Sequence, residues 1–139
     1  MAQLNPYLNF DNNCREAMTF YKDCFGGELS IQTIEGSPME AECPAAMKHQ
    51  VLHATLTSGP FILMGSDMAG PEGFTKGNTI ALSVSCGSAE EINNFFSKLS
   101  AEGQITHPLA DKFWGATFGV VTDKFGIRWM LNYDKHQAA

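Results

Sequence analysis

The sequence predicts an α+β fold in which one order of elements, strand–helix–strand–strand–strand (βαβββ), occurs twice. Alternating apolar residues indicate the strands, and two segments with apolar residues every three or four positions indicate the helices. A connector rich in Gly and Pro, residues 66–78, separates the two halves. The 139 residues suffice for one domain, 1–139, made of modules at about 1–68 and 77–135. Each half is too small to close a core, so we expect the modules to pair, within one chain or between chains.

The first module opens with a strand followed by a helix. A strand at residues 4–10 places Leu4, Leu8 and Phe10 on one face. Residues 11–13 then offer a helix cap, and a pair of glycines ends the helix. The apolar stripe of this helix consists of Cys14, Ala17, Met18, Tyr21, Cys24 and Phe25.

Three further strands complete the first module, at residues 28–34, 51–57 and 61–67. A long loop at 35–50 follows the first of these strands. The other two strands are joined by Ser-Gly-Pro at residues 58–60, which indicates a hairpin.

The second module repeats this order. A strand at residues 79–86 precedes Ser88 and Glu91, which form a capping box. The apolar stripe of the second helix consists of Ile92, Phe95, Phe96 and Leu99. The remaining strands are predicted at residues 104–107, 113–122 and 127–133.

Charge and composition exclude several kinds of partner. The chain has 9 Lys and Arg against 15 Asp and Glu, a net charge of −6, and its basic residues form no run, so a nucleic-acid partner is not expected. No apolar stretch is long enough to cross a bilayer, and the start lacks the pattern of a signal peptide, so we expect no membrane partner and a cytoplasmic location. The four cysteines show no CxxC spacing, and their even number is compatible with two disulfides, but the missing secretory signal favours reduced thiols.

The strand faces turned away from the helices carry hydroxyl, amide, methionine and histidine side chains, with one arginine, Arg128. A solvent-exposed sheet usually carries Lys and Glu there. The observed composition is typical of a concave, partly dry ligand cavity, with an oligomer interface as the alternative. The residues predicted to line the cavity are Asn5, Tyr7, His53, Thr55, Met64, Ser66, Thr79, Trp114, Phe118, Met130 and Asn132.

Aromatic residues of the second module are candidates for a flat apolar wall of this cavity. Phe113, Trp114 and Phe118 are the candidates, with ordinary core packing as the alternative. Since Phe113 and Trp114 are neighbours on a predicted strand, only one of them is expected to face the cavity. Trp129 shares a face with apolar neighbours and is predicted to belong to the core.

His53 lies within a predicted strand on the cavity face. It is a candidate for a general base, and Tyr7 is a second candidate for acid–base chemistry. The favoured interpretation is a histidine that is hydrogen-bonded to a neighbouring Thr or Tyr. The other histidines, His49, His107 and His136, are predicted to lie solvated in loops or the tail.

Several stretches taken in order resemble the PhnB-like branch of the vicinal oxygen chelate superfamily, which includes glyoxalase I, bleomycin-resistance proteins and extradiol dioxygenases. The stretches are LNPYLNF at 4–10, NCREA at 13–17 with Phe20-Tyr21, FWG at 113–115 with Phe118-Gly119, and DKFG at 123–126 with Trp129-Met130 and Asn132. The resemblance implies that each module curls into an incomplete barrel, giving a glyoxalase-like fold, and that two modules pair around a cleft, often in a homodimer.

The resemblance also locates the metal-ligand positions of the superfamily, on the first and last strands of each module. They fall at or near Asn5, Met64, Thr79 and Met130, and these side chains are poor ligands for a divalent metal. Classical glyoxalase activity is therefore not expected. PhnB-like proteins are often labelled methyltransferases, but the chain lacks a Gly-rich motif after its first strand, so this activity is not expected either.

The sequence thus favours a metal-independent protein that binds a small organic ligand, without a cofactor, as a homodimer. The alternative is a lyase, isomerase or dioxygenase-type enzyme of the same superfamily. A third interpretation is an interaction protein whose polar faces serve only a dimer.

Overall fold

The computed structural model describes residues 2–68 and 73–135. The chain divides into two units, Met1–Thr75 and Lys76–Ala139, and each unit contains one helix and one four-stranded sheet. The predicted α+β class with two βαβββ modules is confirmed. Part of the predicted connector, residues 69–72, lies outside the described residues, as does His136.

The first unit consists of strands β1 to β4 and helix α1. Its elements are β1 (Tyr7–Asn9), α1 (Cys14–Phe25), β2 (Glu28–Thr33), β3 (Val51–Ser58) and β4 (Phe61–Ser66). The strand order in the sheet is β1-β4-β3-β2, with β1 parallel to β4 and the other pairs antiparallel. The predicted loop before β3 contains two short 3₁₀ turns, Glu40–Glu42 and Ala45–Met47.

The second unit repeats this topology. Its elements are β5 (Leu82–Cys86), α2 (Ala89–Leu99), β6 (Gln104–Asp111), β7 (Ala116–Thr122) and β8 (Arg128–Asp134). The strand order is β5-β8-β7-β6, again with the first strand parallel to the last. Each sheet therefore has its module's first strand at one edge.

Each helix covers one face of its own sheet. The predicted stripe of α1 is buried, and α1 packs against β2, β3 and β4. In the second unit Ile92, Phe96 and Leu99 are buried, and α2 packs against β5, β7 and β8. Trp129 is 1% exposed, which confirms its predicted place in the core. The opposite face of each sheet carries the polar side chains.

Four predicted strand boundaries were wrong by three or four residues, at the two first strands, at β6 and at β7, which begins at Ala116 and not at residue 113. The first strand begins at Tyr7 and not at residue 4, and Leu4 is 98% exposed instead of facing the helix. Strand β5 begins at Leu82 and not at residue 79. Strand β6 extends to Asp111 and not to residue 107, since an edge strand with register shifts tolerates Pro108.

The helix caps differ between the units. In α2 the predicted cap is confirmed, because the Ser88 hydroxyl accepts a hydrogen bond from the Glu91 backbone N–H at 3.0 Å. In α1 the N-cap is Asn13, whose side chain makes no capping hydrogen bond. The Asp67 carboxylate, which follows β4, accepts from the Cys14 N–H at 3.0 Å instead. A residue distant in the sequence thus satisfies the helix end.

No helix among the described residues is long and apolar enough to pass through a membrane.

Candidate functional site

The open face of the first sheet carries four of the predicted cavity residues side by side. Tyr7 on β1 is paired with Met64 on β4, and Met64 is paired with Thr55 on β3. His53 lies two residues before Thr55 and therefore points to the same side of the sheet. Tyr7 is 47% exposed, and the other three are half-buried. The first sheet therefore presents a partly exposed polar row.

A hydrogen-bonded chain connects three of these side chains. The Tyr7 hydroxyl lies 3.1 Å from His53 Nδ1, and the Thr55 hydroxyl lies 3.0 Å from His53 Nε2. Because a neutral imidazole donates with one nitrogen and accepts with the other, and a hydroxyl does either, both contacts are satisfied together. The favoured interpretation of His53, a histidine bonded to Thr or Tyr, agrees with this geometry. His53 and Thr55 are half-buried, and Tyr7 is the most exposed of the three residues.

Two other predicted residues of the first unit have different surroundings. Ser66 is 2% exposed, and its hydroxyl donates to the Leu52 carbonyl at 2.9 Å and accepts from the Met68 N–H at 2.9 Å. The Ser66 hydroxyl is thus buried and engaged with the backbone where β4 ends. Asn5 precedes β1 and is half-buried.

The open face of the second sheet carries Phe118, Met130 and Asn132. Asn132 on β8 is paired with Phe118 on β7 and with Ser85 on β5, while Met130 is paired with Ser83. All three predicted residues are half-buried. Thr79 is not among them, because it lies before β5 and is exposed; its predicted place on the first strand of this module was wrong.

Trp114 lies in the turn between β6 and β7 and not on a strand. The turn closes with the Gly115 N–H donating to the Lys112 carbonyl at 3.0 Å, and Gly115 has a φ of +89°. A positive φ favours glycine at this position, and β7 begins at the next residue, Ala116. The alternation argument for Phe113 and Trp114 therefore fails, since both are turn residues, 97% and 52% exposed.

His107 is more enclosed than the sequence analysis predicted. It was expected to be solvated, at the end of a short strand, but it lies within β6, half-buried, with its ring 5.7 Å from the Phe118 ring. The Lys112 Nζ lies 2.8 Å from His107 Nε2, and His107 Nδ1 lies 2.8 Å from the Pro108 carbonyl oxygen. The His-x₄-Lys spacing gave no signal, because Pro108 hid the extension of β6 that brings the two side chains together.

A cleft of about 470 Å³ lies at the start of α1, away from the predicted residues. It is lined by Asn12, Asn13, Arg15, Glu16, Thr19, His49, Val51 and Asp67. The carboxylate at its base is engaged, because Asp67 accepts hydrogen bonds from the Cys14 and Val51 N–H groups. This arrangement anchors β3 and α1 to the end of β4.

The cysteines are free thiols. Burial raises the pKa of Cys14 to about 12, with the Asp67 carboxylate adding to the effect and Arg15 opposing it. Burial also raises the pKa of Cys86 to about 12, with a further contribution from Glu91. Both groups are therefore protonated thiols at neutral pH, a form that is neither a good nucleophile nor a good metal ligand.

The positions at or near which the resemblance would place metal ligands carry an amide, two thioethers and a hydroxyl, on Asn5, Met64, Met130 and Thr79. Thioethers prefer soft ions such as Cu(I), and neutral amide and hydroxyl oxygens bind divalent transition metals weakly. Over residues 2–68 and 73–135, no three His, Cys, Asp or Glu side chains form a group that could hold a metal ion.

Comparisons with known proteins agree with the topology. Residues 2–132 match the family described as 3-demethylubiquinone-9 3-methyltransferase. The chain is 34% identical to Protein YjdN of Escherichia coli K12, over 96% of this chain and 97% of that protein. The crystal structure of PA1353 from Pseudomonas aeruginosa is 38% identical with a TM-score of 0.80, covering 96% of this chain and 98% of that chain.

Two further solved structures extend the likeness. The PhnB protein of Bacillus cereus is 30% identical with a TM-score of 0.73, covering 95% of this chain and 99% of that chain. A glyoxalase-related enzyme from Fulvimarina pelagi, 17% identical with a TM-score of 0.65, shares the fold over 96% of this chain and 88% of that chain. The chain belongs to the PhnB-like 3-demethylubiquinone-9 3-methyltransferase family.

Proposed function

We propose that this protein binds a small organic ligand without a metal ion, on the open faces of its sheets. The observation that carries the proposal is the chain of Tyr7, His53 and Thr55 beside Met64. It combines hydroxyl and imidazole groups with an adaptable apolar side chain on a half-exposed surface. Phe118, Met130 and Asn132 give the open face of the second sheet the same mixed character.

The side chains at the superfamily's ligand positions support the metal-independent part of the proposal. Asn5, Met64, Thr79 and Met130 supply no imidazole, thiolate or carboxylate to a divalent ion. The nearest such donor on the first sheet's open face is His53, and both of its ring nitrogens have hydroxyl partners. Ligand binding therefore relies on hydrogen bonds and apolar contact.

A thermal-shift screen over amphipathic metabolites and antibiotics tests this proposal, with NMR titration of every stabilising compound. A ligand of the open face should perturb the Tyr7 and His53 resonances, and Tyr7→Phe should weaken its binding about tenfold through the lost hydroxyl. Tyr133→Phe is the matched control, since Tyr133 lies on the other face of the second sheet and should leave binding unchanged. No stabilising compound, or hits that perturb neither Tyr7 and His53 on the first sheet nor Phe118 and Asn132 on the second, would contradict the proposal.

The same hydrogen-bonded chain favours a second candidate, metal-free acid–base catalysis. In that function the Tyr7 hydroxyl would exchange a proton with the substrate while His53, held by Thr55, accepts or returns it. The reaction class would be that of an isomerase or lyase. His53→Gln distinguishes the two functions. If the protein is an enzyme, this substitution should abolish turnover of the substrate; if the protein only binds its ligand, it should lower the affinity for that ligand.

A further inference from the structure

The turn between β6 and β7 combines exposed aromatic rings with a lysine that lacks an acidic partner. Within the described part of the chain, the Lys112 ammonium is bonded to His107 and to no carboxylate. The neighbouring Lys135, in contrast, is paired with Asp111 at 2.8 Å. Lys112 therefore keeps its positive charge available at the open face of the second sheet.

The His107 contacts fix how this charge is presented. An ammonium only donates hydrogen bonds, so His107 Nε2 accepts from Lys112. A carbonyl only accepts, so His107 Nδ1 carries the proton that is shared with Pro108. His107 is thus a neutral imidazole that holds the Lys112 ammonium in place without cancelling its charge.

The rings next to this ammonium form a continuous edge-to-face series. His107 contacts Phe118 at 5.7 Å between ring centroids, Phe118 contacts Trp114 at 6.2 Å, and Trp114 contacts Phe113 at 5.0 Å. Exposed aromatic rings of this kind are costly in water and are common where a ring-shaped ligand binds. The Lys112 ammonium therefore lies at one end of an aromatic surface formed by the rings of His107, Phe118, Trp114 and Phe113.

We infer that this aromatic surface binds planar aromatic carboxylates, with the ligand ring against Phe118 and Trp114 and its carboxylate on the Lys112 ammonium. The inference rests on the proposed ligand-binding function and adds the chemical class of the ligand. Charge complementarity favours an anion over an apolar face of a second copy of the chain. The net charge of −6 repels anions in general, so selection for an anion has to come from a local cation such as Lys112.

NMR titration with 2-naphthoate and with its uncharged analogue 2-naphthamide tests the inference. The indole N–H of Trp114 reports binding, and that of Trp129, which is buried and bonded to Asp123 at 2.8 Å, is an internal reference. We expect 2-naphthoate to shift the Trp114 signal and to bind about tenfold more tightly than the amide, as a charge-assisted hydrogen bond would provide. Lys112→Met should remove this preference, and Lys112→Arg should keep it.

Lys22→Met, on the exposed side of α1, changes the net charge equally and should keep the preference. Equal affinity for the two probes, or a preference that survives Lys112→Met, would overturn the inference. A third result would also overturn it, by showing that the rings form a dimer contact and not a ligand site. In that case Trp114→Ala would convert a dimer to a monomer, and 2-naphthoate would leave the Trp114 signal of the unmodified chain unchanged. If screening hits perturb Tyr7 and His53 while the naphthoate preference is absent, the inference fails and the proposed function stands.

Discussion

Single residues decide whether the first sheet can hold a metal ion. A tight Zn²⁺ or Ni²⁺ site needs three or four converging imidazole, thiolate or carboxylate ligands. His53 is bonded to two hydroxyls, Asp67 is bonded to two backbone N–H groups, and the Cys14 thiol is buried and protonated. The side chains that would have to converge are therefore already engaged in the fold.

We accordingly predict that protein purified without chelators holds no stoichiometric Zn²⁺ or Ni²⁺. Elemental analysis followed by calorimetric titration with each ion measures this directly. His53→Gln should leave the titration unchanged. One tightly held equivalent per chain that is lost in His53→Gln would contradict the prediction and favour a metalloenzyme.

The buried thiols make stability depend on alkaline pH. In the unfolded chain Cys14 and Cys86 ionise near their usual pKa of 9.0, whereas in the folded chain both have a pKa of about 12. Above pH 9.0 the unfolded chain thus loses protons that the folded chain retains. The contribution to stability is complete below that pH and is lost as the pH rises toward about 12.

Urea unfolding between about pH 8 and pH 10.5 measures this effect. The free energy of unfolding should fall more steeply with pH in the unmodified chain than in the Cys14→Ala, Cys86→Ala double variant. Cys43→Ala is the control, because Cys43 is partly exposed and lies outside both helices and all strands. Parallel pH profiles for the unmodified chain and the double variant would show that the two thiols ionise alike in both states.

At the scale of elements, strong periodicity made the fold predictable and irregular turns limited the prediction. Both helices and the pairing of β3 with β4 follow from apolar spacing and from one Gly-Pro turn. The extension of β6 beyond residue 107 could not be predicted from the sequence, because Pro108 is compatible with a strand only at the edge of a sheet. Whether a strand lies at an edge depends on the tertiary structure.

The same limit applies to the candidate site. His53, Thr55 and Met64 share a face because strands alternate, and this was predictable. The contact between Lys112 and His107 depends on register shifts in β6, and the aromatic series depends on the turn at Gly115. Neither feature has a periodic sequence signal, so the cation beside the rings became visible only in the structure.

The packing of α2 on its sheet gives an element-scale prediction at Gly119. A Cβ at this position would lie 2.6 Å from a ring carbon of Phe96 and 2.9 Å from a methyl carbon of Leu109. Gly119→Ala should therefore lower the free energy of unfolding by about 1–3 kcal/mol, measured by urea denaturation.

Gly87→Ala is the control for Gly119→Ala. Its added methyl would meet no atom nearer than 3.8 Å, the Glu91 carboxylate oxygen, so its effect should be much smaller. Equal losses in the two variants would mean that helix–sheet contact at Gly119 is not the cause.

At the scale of the whole molecule, the two units repeat one topology and also repeat an exposed apolar residue. Leu4 precedes β1 and is 98% exposed, and Ile80 precedes β5 and is 77% exposed. Strands β1 and β5 are each at an edge of their sheets. Exposed apolar residues beside open sheet edges are typical of protein–protein interfaces.

We predict that the protein is a homodimer whose interface includes these first strands, because two small modules bury limited apolar surface and leave sheet edges to be covered. Analytical ultracentrifugation should give twice the 15.2 kDa mass of one chain. Leu4→Asp combined with Ile80→Asp should weaken dimerisation at least about tenfold, since it places charges in an apolar contact. Ile105→Asp, at a half-exposed apolar position on the other edge strand of the second sheet, should leave the dimer intact. A stable species of 15.2 kDa at micromolar concentration in the unmodified chain would contradict the prediction.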